Sequence, residues 1–461
     1  MNLELLGISF YVLAMLGLGF YVSKKIKTDD DYFLAGRSLG PFLATFSIFA
    51  TWFGAETCIG TAGAVYSQGL HSIHADPLGY AFCLLLMGLF FSRILWQKKI
   101  TTIPDLFRER FSPTTEQLTA LIMIPSSIIW AAAQIRAFGQ VIHASTEFSV
   151  SFAITVAALV VVIYTISGGL LADAYTDLIQ GIALIIGLFI LLAVMIHDGG
   201  GPLASAKIIW QKEFWPNYKS NLGLLGRVEL WMVPVLGSVM SQELVSRVVA
   251  SRSPEVARAS SLRACAIYLL VGFIPVLVGL LGSEYFPNLE QPETIMPLLA
   301  KTHLNSFLYI VFIGALVSAI LSTVDTALLS ASALFSHNLV YPFLPNVSER
   351  KKVFIARCGV FISGIIAYVI AYFSESIAEL IELATSLGGP IILVITLIAL
   401  YVKTGTAKNA LVSIIASCFT WVIAHFIFEV DFPVLLTMAV SVVFYFASLP
   451  FVKTEMQKQL S

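Results

Sequence analysis

Charge is scarce in this 461-residue chain: Asp, Glu, Lys and Arg together make up 12% of it. A soluble domain carries roughly 25%, so a water-exposed surface in proportion to this length is excluded. Neither sign predominates, with 27 Lys and Arg against 28 Asp and Glu. A nucleic-acid partner, which needs clustered basic surface, is excluded with it. Cysteine is sparse: Cys58, Cys83, Cys265, Cys358 and Cys418 all fall within apolar segments, without paired metal spacing, and read as structural thiols. The N-terminus lacks a basic region and a small-residue cleavage site, so it reads as a retained first span. No HExxH and no Gly-rich phosphate loop is present, and the histidines (71, 74, 143, 197, 303, 337 and 425) are not clustered as ligands. That pattern argues against an enzyme.

What the chain has instead is length in apolar runs. A helix needs about 20 apolar residues to cross the hydrocarbon core. Thirteen runs qualify: 4–24, 40–69, 74–96, 115–145, 150–170, 173–197, 227–251, 258–283, 305–338, 352–373, 377–402, 409–428 and 432–451. Backbone hydrogen bonding in lipid leaves helices as the solution for runs this long. The expectation is an all-α integral membrane protein, with residues 1–461 forming one transport domain. Core repeats would cover about 40–197 and 227–402, with 4–24, 409–428 and 432–451 peripheral.

Basic residues sort between the connections. One set holds Lys24, Lys25, Lys27 and Arg37; Lys98, Lys99, Arg108 and Arg110; Arg252 and Arg258; Arg350, Lys351 and Lys352; Lys403 and Lys408; and Lys453 and Lys458. The alternate connections 70–73, 146–149, 374–376 and 429–431 hold neither Lys nor Arg. The basic side is cytoplasmic, which puts the N-terminus outside and the C-terminus inside a plasma or bacterial inner membrane. The longer stretch 198–226 reads as an external loop, with Trp210 and Trp215 as interface anchors.

Spans two and nine are too long. Thirty residues of helix reach about 45 Å against a core of ~30 Å, so each must tilt or break. Span two carries Gly54, Gly60 and Gly63 among Thr51, Glu56 and Thr57, and glycine weakens a helix by about 1 kcal/mol against alanine. A break is expected near residues 50–56. Five helices later, span seven carries Gly237, Ser238, Ser241, Gln242 and Glu243. Interrupted polar spans at matching positions of two halves point to a transporter site. Spans 2–6 and 7–11 therefore read as inverted five-helix repeats, on spacing alone.

The stretch Asp31-Tyr32-Phe33-Leu34-Ala35-Gly36-Arg37-Ser38-Leu39-Gly40, with Ala50-Thr51-Trp52-Phe53-Gly54, resembles the sodium:solute symporter family. So do Ser167-Gly168-Gly169 with Tyr175-Thr176-Asp177 and Gln180, and Ser322-Thr323-Val324-Asp325-Thr326 running into Leu328-Leu329-Ser330-Ala331-Ser332. The resemblance implies a LeuT-type fold and alternating access. Within the family the nearest look is to high-affinity choline transporters, through Ala50-Thr51-Trp52, Leu78-Gly79-Tyr80, Gly88-Leu89-Phe90-Phe91, Trp130-Ala131-Ala132-Ala133 and Ala174-Tyr175-Thr176-Asp177.

Sodium needs several hard oxygens, from carbonyls freed by a break and hydroxyls on a facing helix. Ala319, Ser322, Thr323 and Thr326 share one face of span nine. Ser and Thr also serve simply to join membrane helices. The resemblance implies a sodium site from the backbone oxygens of Ala50, Phe53 and Ala319 and the hydroxyls of Ser322 and Thr323. It further implies a possible second sodium at Asp177, Asp325 and Thr326, with a proton-sensing or structural carboxylate as the competing reading.

For the solute, Glu56 lies where span two should unwind. Its carboxylate suits a cationic solute, a proton or a basic side chain. By resemblance Trp52, Tyr80 and Trp130 match aromatic positions that surround choline, and aromatic faces attract an ammonium by about 2 kcal/mol when desolvated. Packing and interface anchoring is the bland alternative. Gln242 is a further candidate, able to bond either a solute or another helix. Two features restrain a choline-like reading. The choline transporters place another tryptophan where this chain has Ser241, and Arg136 adds a charge suited to a carboxylate, to Glu56 or to the interface. The expectation is a sodium-coupled importer of an ammonium-bearing solute, with an amino acid or carboxylate as the alternative. A transporter-like sensor is the other, disfavoured because about ten residues follow the last span. No nucleic-acid partner is expected.

Overall fold

The computed structural model describes residues 10, 13, 14, 17, 19–24, 26–146, 148–211 and 223–451. Much of the first expected span, Lys25, Trp215 and the basic tail at Lys453 and Lys458 lie outside them. The described residues are helical throughout, joined by turns and by one isolated bridge. Among the described residues nine helical runs are long and apolar enough to cross a membrane, and Pro41–Trp52 is a shorter apolar helix. The full count of thirteen remains an expectation.

The elements that build the site are α1 (Pro41–Trp52), α2 (Thr61–Gln68), α3 (Tyr80–Leu86), α4 (Pro113–Ser145), α5 (Val150–Asp198), α6 (Leu224–Leu236), α7 (Gln242–Val249), α8 (Pro254–Tyr285) and α9 (Ser306–Ala333). Span two breaks as expected. Pro41 starts α1, where its missing N–H costs nothing, and α1 ends at Trp52 because Phe53 leaves helical geometry at φ −81°, ψ 63°. A π-helical turn, Glu56–Gly60, restarts the chain into α2. Span seven also breaks: α6 ends at Leu236, residues 237–240 form turns, and Ser241 caps α7 by accepting from the Leu244 N–H at 3.3 Å. Span nine instead runs unbroken through α9 for 28 residues, about 42 Å.

Two runs that look continuous are hairpins. Within α5 the Tyr164 and Thr176 hydroxyls lie 2.7 Å apart, yet twelve residues of straight helix would separate them by about 18 Å. Gly169, at φ 56° and ψ 177°, makes the reversal. A Cβ there would meet the Tyr32 ring and carbonyl at 2.9 Å. Likewise the Tyr80 hydroxyl reaches Glu56 at 3.0 Å, so the chain turns back between α2 and α3.

The basic side of the bundle is closed. Leu39 donates its N–H to the Ala250 carbonyl at 3.1 Å and accepts from the Arg252 N–H at 3.0 Å. The Arg37 guanidinium donates to the carbonyls of Lys99 and Ile100, each at 3.0 Å, and the Trp96 indole to that of Ser251 at 2.6 Å. The opposite side holds an open cavity of about 1070 Å³, bordered by residues of the connections free of Lys and Arg, among them Ser72, Glu375, Ser376, Glu429 and Asp431.

Candidate functional site

The break in span two releases backbone groups that an intact helix would consume. In an α-helix the Gly54 N–H would bond the Ala50 carbonyl. Here it donates to the Trp52 carbonyl at 2.9 Å. The Ala50 oxygen is met instead by the Thr323 hydroxyl at 3.3 Å, which also lies 3.0 Å from the Ala319 carbonyl. Three of the five expected sodium ligands thus converge between α1 and α9, with Phe53 at the break itself. Gly54 permits the approach: a Cβ there would sit 2.5 Å from Thr323 Oγ1 and 2.9 Å from Gln134 Oε1. Gln134, which the sequence reading missed, accepts from the freed Ala55 N–H at 3.1 Å. The Ser322 hydroxyl faces inward beside Thr323 but donates to Asp177 Oδ1.

Behind this lies a charged network built round Arg247 of α7, which is 1% exposed. Its guanidinium donates to Asp173 Oδ2 at 2.5 Å, Asp177 Oδ2 at 3.5 Å, the Thr326 hydroxyl and the Ser47 carbonyl. Ser47 donates to Asp177 at 2.6 Å, and Thr165 donates to Asp325. Asp177 and Thr326 therefore meet at one guanidinium, while Asp325 is held by Thr165. Two buried carboxylates, Asp173 and Asp177, share this one arginine, and Asp173 Oδ1 and Asp325 Oδ2 have no partner. Arg247 was readable: a charge inside an apolar span is a site hypothesis by the same rule that singled out the aspartates.

The aromatic trio is assembled. Trp52 stacks on Tyr80, with ring centroids 5.4 Å apart and planes 21° from parallel. Trp130 meets Trp52 edge-on at 5.3 Å. The Tyr80 hydroxyl donates to Glu56 Oε1, while Glu56 Oε2 is shielded and without a partner. Glu56 and Tyr80 line the open cavity; Trp52 and Trp130 line a pocket of about 20 Å³ behind them, with Ser241 and Glu243. That inner pocket, as it stands, has no room for an organic solute. Glu243, buried and accepting from Ser127 at 2.5 Å, is a further carboxylate there.

Gln242 does not join this group. Its Oε1 accepts from the Ile103 N–H at 3.0 Å, and its Nε2 donates to the Thr101 carbonyl at 3.2 Å and Ser246 Oγ at 2.8 Å. Its polar atoms are spent on the basic-side loop, which corrects its expected place among the solute ligands. Arg136 reaches neither Glu56 nor the trio; it donates to the carbonyls of Ala371 and Glu375 at the cavity wall.

Among the described residues nine carboxylates border the open cavity (Glu56, Asp76, Glu229, Glu290, Glu293, Glu375, Glu382, Glu429 and Asp431), and Arg136 is the one Lys or Arg. Converging negative charge on low-dielectric walls concentrates cations. On the loop beside Arg136, burial raises the Glu293 carboxyl above its ordinary range, with Gln140 and Arg136 opposing the rise.

A profile of the sodium:solute symporter family matches residues 32–417. The chain belongs to this family. Its relatives include the human high affinity choline transporter 1, 27% identical over 440 residues that cover 89% of this chain and 75% of that one. The sodium/glucose cotransporter of Vibrio parahaemolyticus is 27% identical over 90% of this chain and 83% of its own. The symporter's fold superimposes on a Na+-coupled sialic acid symporter in a substrate-bound outward-open state, with TM-score 0.86, 20% identity and 98% of both chains covered. The fold is thus that of the LeuT-type transporters, and the chain is a multi-pass membrane symporter that couples sodium to a small solute.

Proposed function

We propose that this symporter imports an ammonium-bearing solute, choline-like in size, by alternating access from the side that carries the acidic cavity. The reading rests on one observation: Glu56 presents a shielded, unpartnered oxygen beside the stacked Trp52 and Tyr80 rings at the floor of that cavity. A lone buried carboxylate costs several kcal/mol unless a cation meets it, and the adjoining faces add about 2 kcal/mol for an ammonium. Trp130 completes the wall, and Ser241 with Glu243 lines the pocket opened when the stack parts. With serine in place of a fourth aromatic and the carboxylates of Glu56 and Glu243 nearby, the site favours an ammonium with N–H or O–H donors over a bare quaternary head. The choline carried by the human relative and the proline carried by the Salmonella typhimurium one are the reference solutes.

Sodium is taken to bind between the Ala50, Phe53 and Ala319 carbonyls and the Ser322 and Thr323 hydroxyls. The convergence of Thr323 on Ala50 and Ala319 supports this set. A second cation near Asp177, Asp325 and Thr326 is favoured by the orphaned Asp325 oxygen and the excess of carboxylates over Arg247. The basic, closed side is read as cytoplasmic, with the C-terminus there.

The test is uptake into proteoliposomes under an imposed sodium gradient, with radiolabelled choline, betaine, proline and small monocarboxylates. Sodium-driven accumulation of an ammonium-bearing member is the expected result. Accumulation of a monocarboxylate that no ammonium solute inhibits would overturn the substrate reading. Binding without accumulation would favour a sensor.

A further inference from the structure

Asp76 stands at the turn into α3, 4% exposed, and no part of the proposed sodium or solute chemistry uses it. Its Oδ2 accepts from the Thr57 hydroxyl at 2.5 Å and from the Tyr268 hydroxyl, on α8, at 3.0 Å. Those two hydroxyls lie 2.7 Å from each other. Both also reach the Trp52 carbonyl at the break, at 3.2 and 3.5 Å. The other carboxylate oxygen, Oδ1, is buried and has no hydrogen-bond partner. Among the described residues no Lys or Arg forms an ion pair with this carboxylate, and Glu56, another acid, lines the same cavity.

The arrangement gathers hard oxygens from three separate spans: one carboxylate oxygen, two hydroxyls free to turn their lone pairs inward, and one carbonyl beside unwound backbone, with the second carboxylate oxygen left unpartnered. It contains no nitrogen. Leaving such a carboxylate bare in the interior costs several kcal/mol. Oxygen-only sets of this kind beside a broken helix hold small hard cations. A proton on Oδ1 would find no acceptor there. Access exists as well, because Asp76 lines the open cavity.

We propose that Asp76, Thr57, Tyr268 and the Trp52 carbonyl form an additional sodium site, distinct from the one at Ala50 and Thr323. The two flank the end of α1 from opposite sides: α9 approaches the Ala50 oxygen, and α8 approaches the Trp52 oxygen. An ion at Asp76 ties Thr57 to α3 and α8. It thereby fixes the neighbouring Glu56 in the pose that meets the solute and offsets the repulsion between the two acids. Sodium at this site therefore binds before the solute and from the cavity side.

The experiment counts bound 22Na+ on purified protein in nanodiscs and measures the sodium dependence of uptake in parallel. Asp76→Asn should lower the count by one ion and reduce the steepness of the sodium dependence. Tyr268→Phe and Thr57→Val should weaken sodium by about tenfold, and Thr57→Ser should restore it. Thr323→Ala serves as reference: it should weaken a different ion by about tenfold, so that at limiting 22Na+ the Asp76→Asn/Thr323→Ala double variant loses both. Size-exclusion profiles of Tyr268→Phe guard against misfolding of Asp76→Asn alone. An unchanged 22Na+ count in both Asp76→Asn and Tyr268→Phe overturns the proposal, as does an unchanged count accompanied by loss of acid-driven uptake, which would make the site a proton carrier. Wild-type protein that binds no 22Na+ would overturn it together with the Ala50–Thr323 site, and so is told apart from failure of this site alone.

Discussion

Gly54→Ala is the sharpest perturbation of the sodium site, because it inserts one methyl against the site without replacing a ligand. The added Cβ would lie 2.5 Å from Thr323 Oγ1, 3.1 Å from Thr323 Cβ and 2.9 Å from Gln134 Oε1. Ordinary contact begins near 3.4 Å, so α9 must retreat from the break by about 0.9 Å or Thr323 must leave its rotamer. Either motion opens the gap between the Thr323 hydroxyl and the Ala50 carbonyl, now 3.3 Å. Overpacking of this kind costs about 1–3 kcal/mol. Expressed wholly in sodium binding, that is between about fivefold and 150-fold in apparent affinity, at 1.4 kcal/mol per factor of ten. The assay is the sodium concentration for half-maximal solute uptake in proteoliposomes, at saturating solute. Gly40→Ala is the control, since a Cβ there meets nothing within 4 Å. Unchanged sodium dependence in folded Gly54→Ala would refute the reasoning, for it would mean that the distance between α1 and α9 is irrelevant to the ion.

Ser322→Ala and Thr323→Ala should each raise the sodium requirement about tenfold, measured in the same assay, with the protein still monodisperse by size exclusion. Glu56→Gln should cut uptake of an ammonium-bearing solute by ten- to a hundredfold, the loss of a buried ionic contact worth about 1.5–3 kcal/mol; retained uptake would release Glu56 from the solute. Arg136→Gln should leave that uptake largely intact, because the guanidinium is engaged with carbonyls at the wall; abolished uptake would instead place a solute carboxylate there. Arg247→Met should destabilise the fold by about 3–5 kcal/mol, since it strands buried carboxylates; a thermal-melt series in detergent checks this, and partial recovery in Arg247→Met/Asp173→Asn would identify charge as the cause.

The breaks were legible because local rules govern them: Gly54 with its polar neighbours, and Gly237 through Ser241, mark chain that cannot sustain a helix in lipid. The face of Ala319, Ser322, Thr323 and Thr326 was legible for the same reason, as helical periodicity alone puts the four on one side of the helix. What the sequence concealed is which distant partner each polar group meets. Gln134 serves the Ala55 amide from another helix, and Asp76 finds Tyr268 at a separation of 192 residues. Such pairings depend on how tilted helices cross, which no window of residues encodes. Gln242 shows the opposite failure. It sits at a broken helix as solute ligands do, yet the restart of α7 turns it toward the 101–103 loop.

The bridge between Leu39 and Ser251 has its own consequence. It fastens the start of the first broken helix to the end of the second, so the inner ends of the two part only when the bridge opens. Two peptide hydrogen bonds amount to about 2 kcal/mol net. A latch that weak yields to thermal motion many times a second, and what holds it shut is the company of Arg37 and Trp96. Release of cargo to the interior is then set less by the strength of the latch than by how often all three contacts let go together.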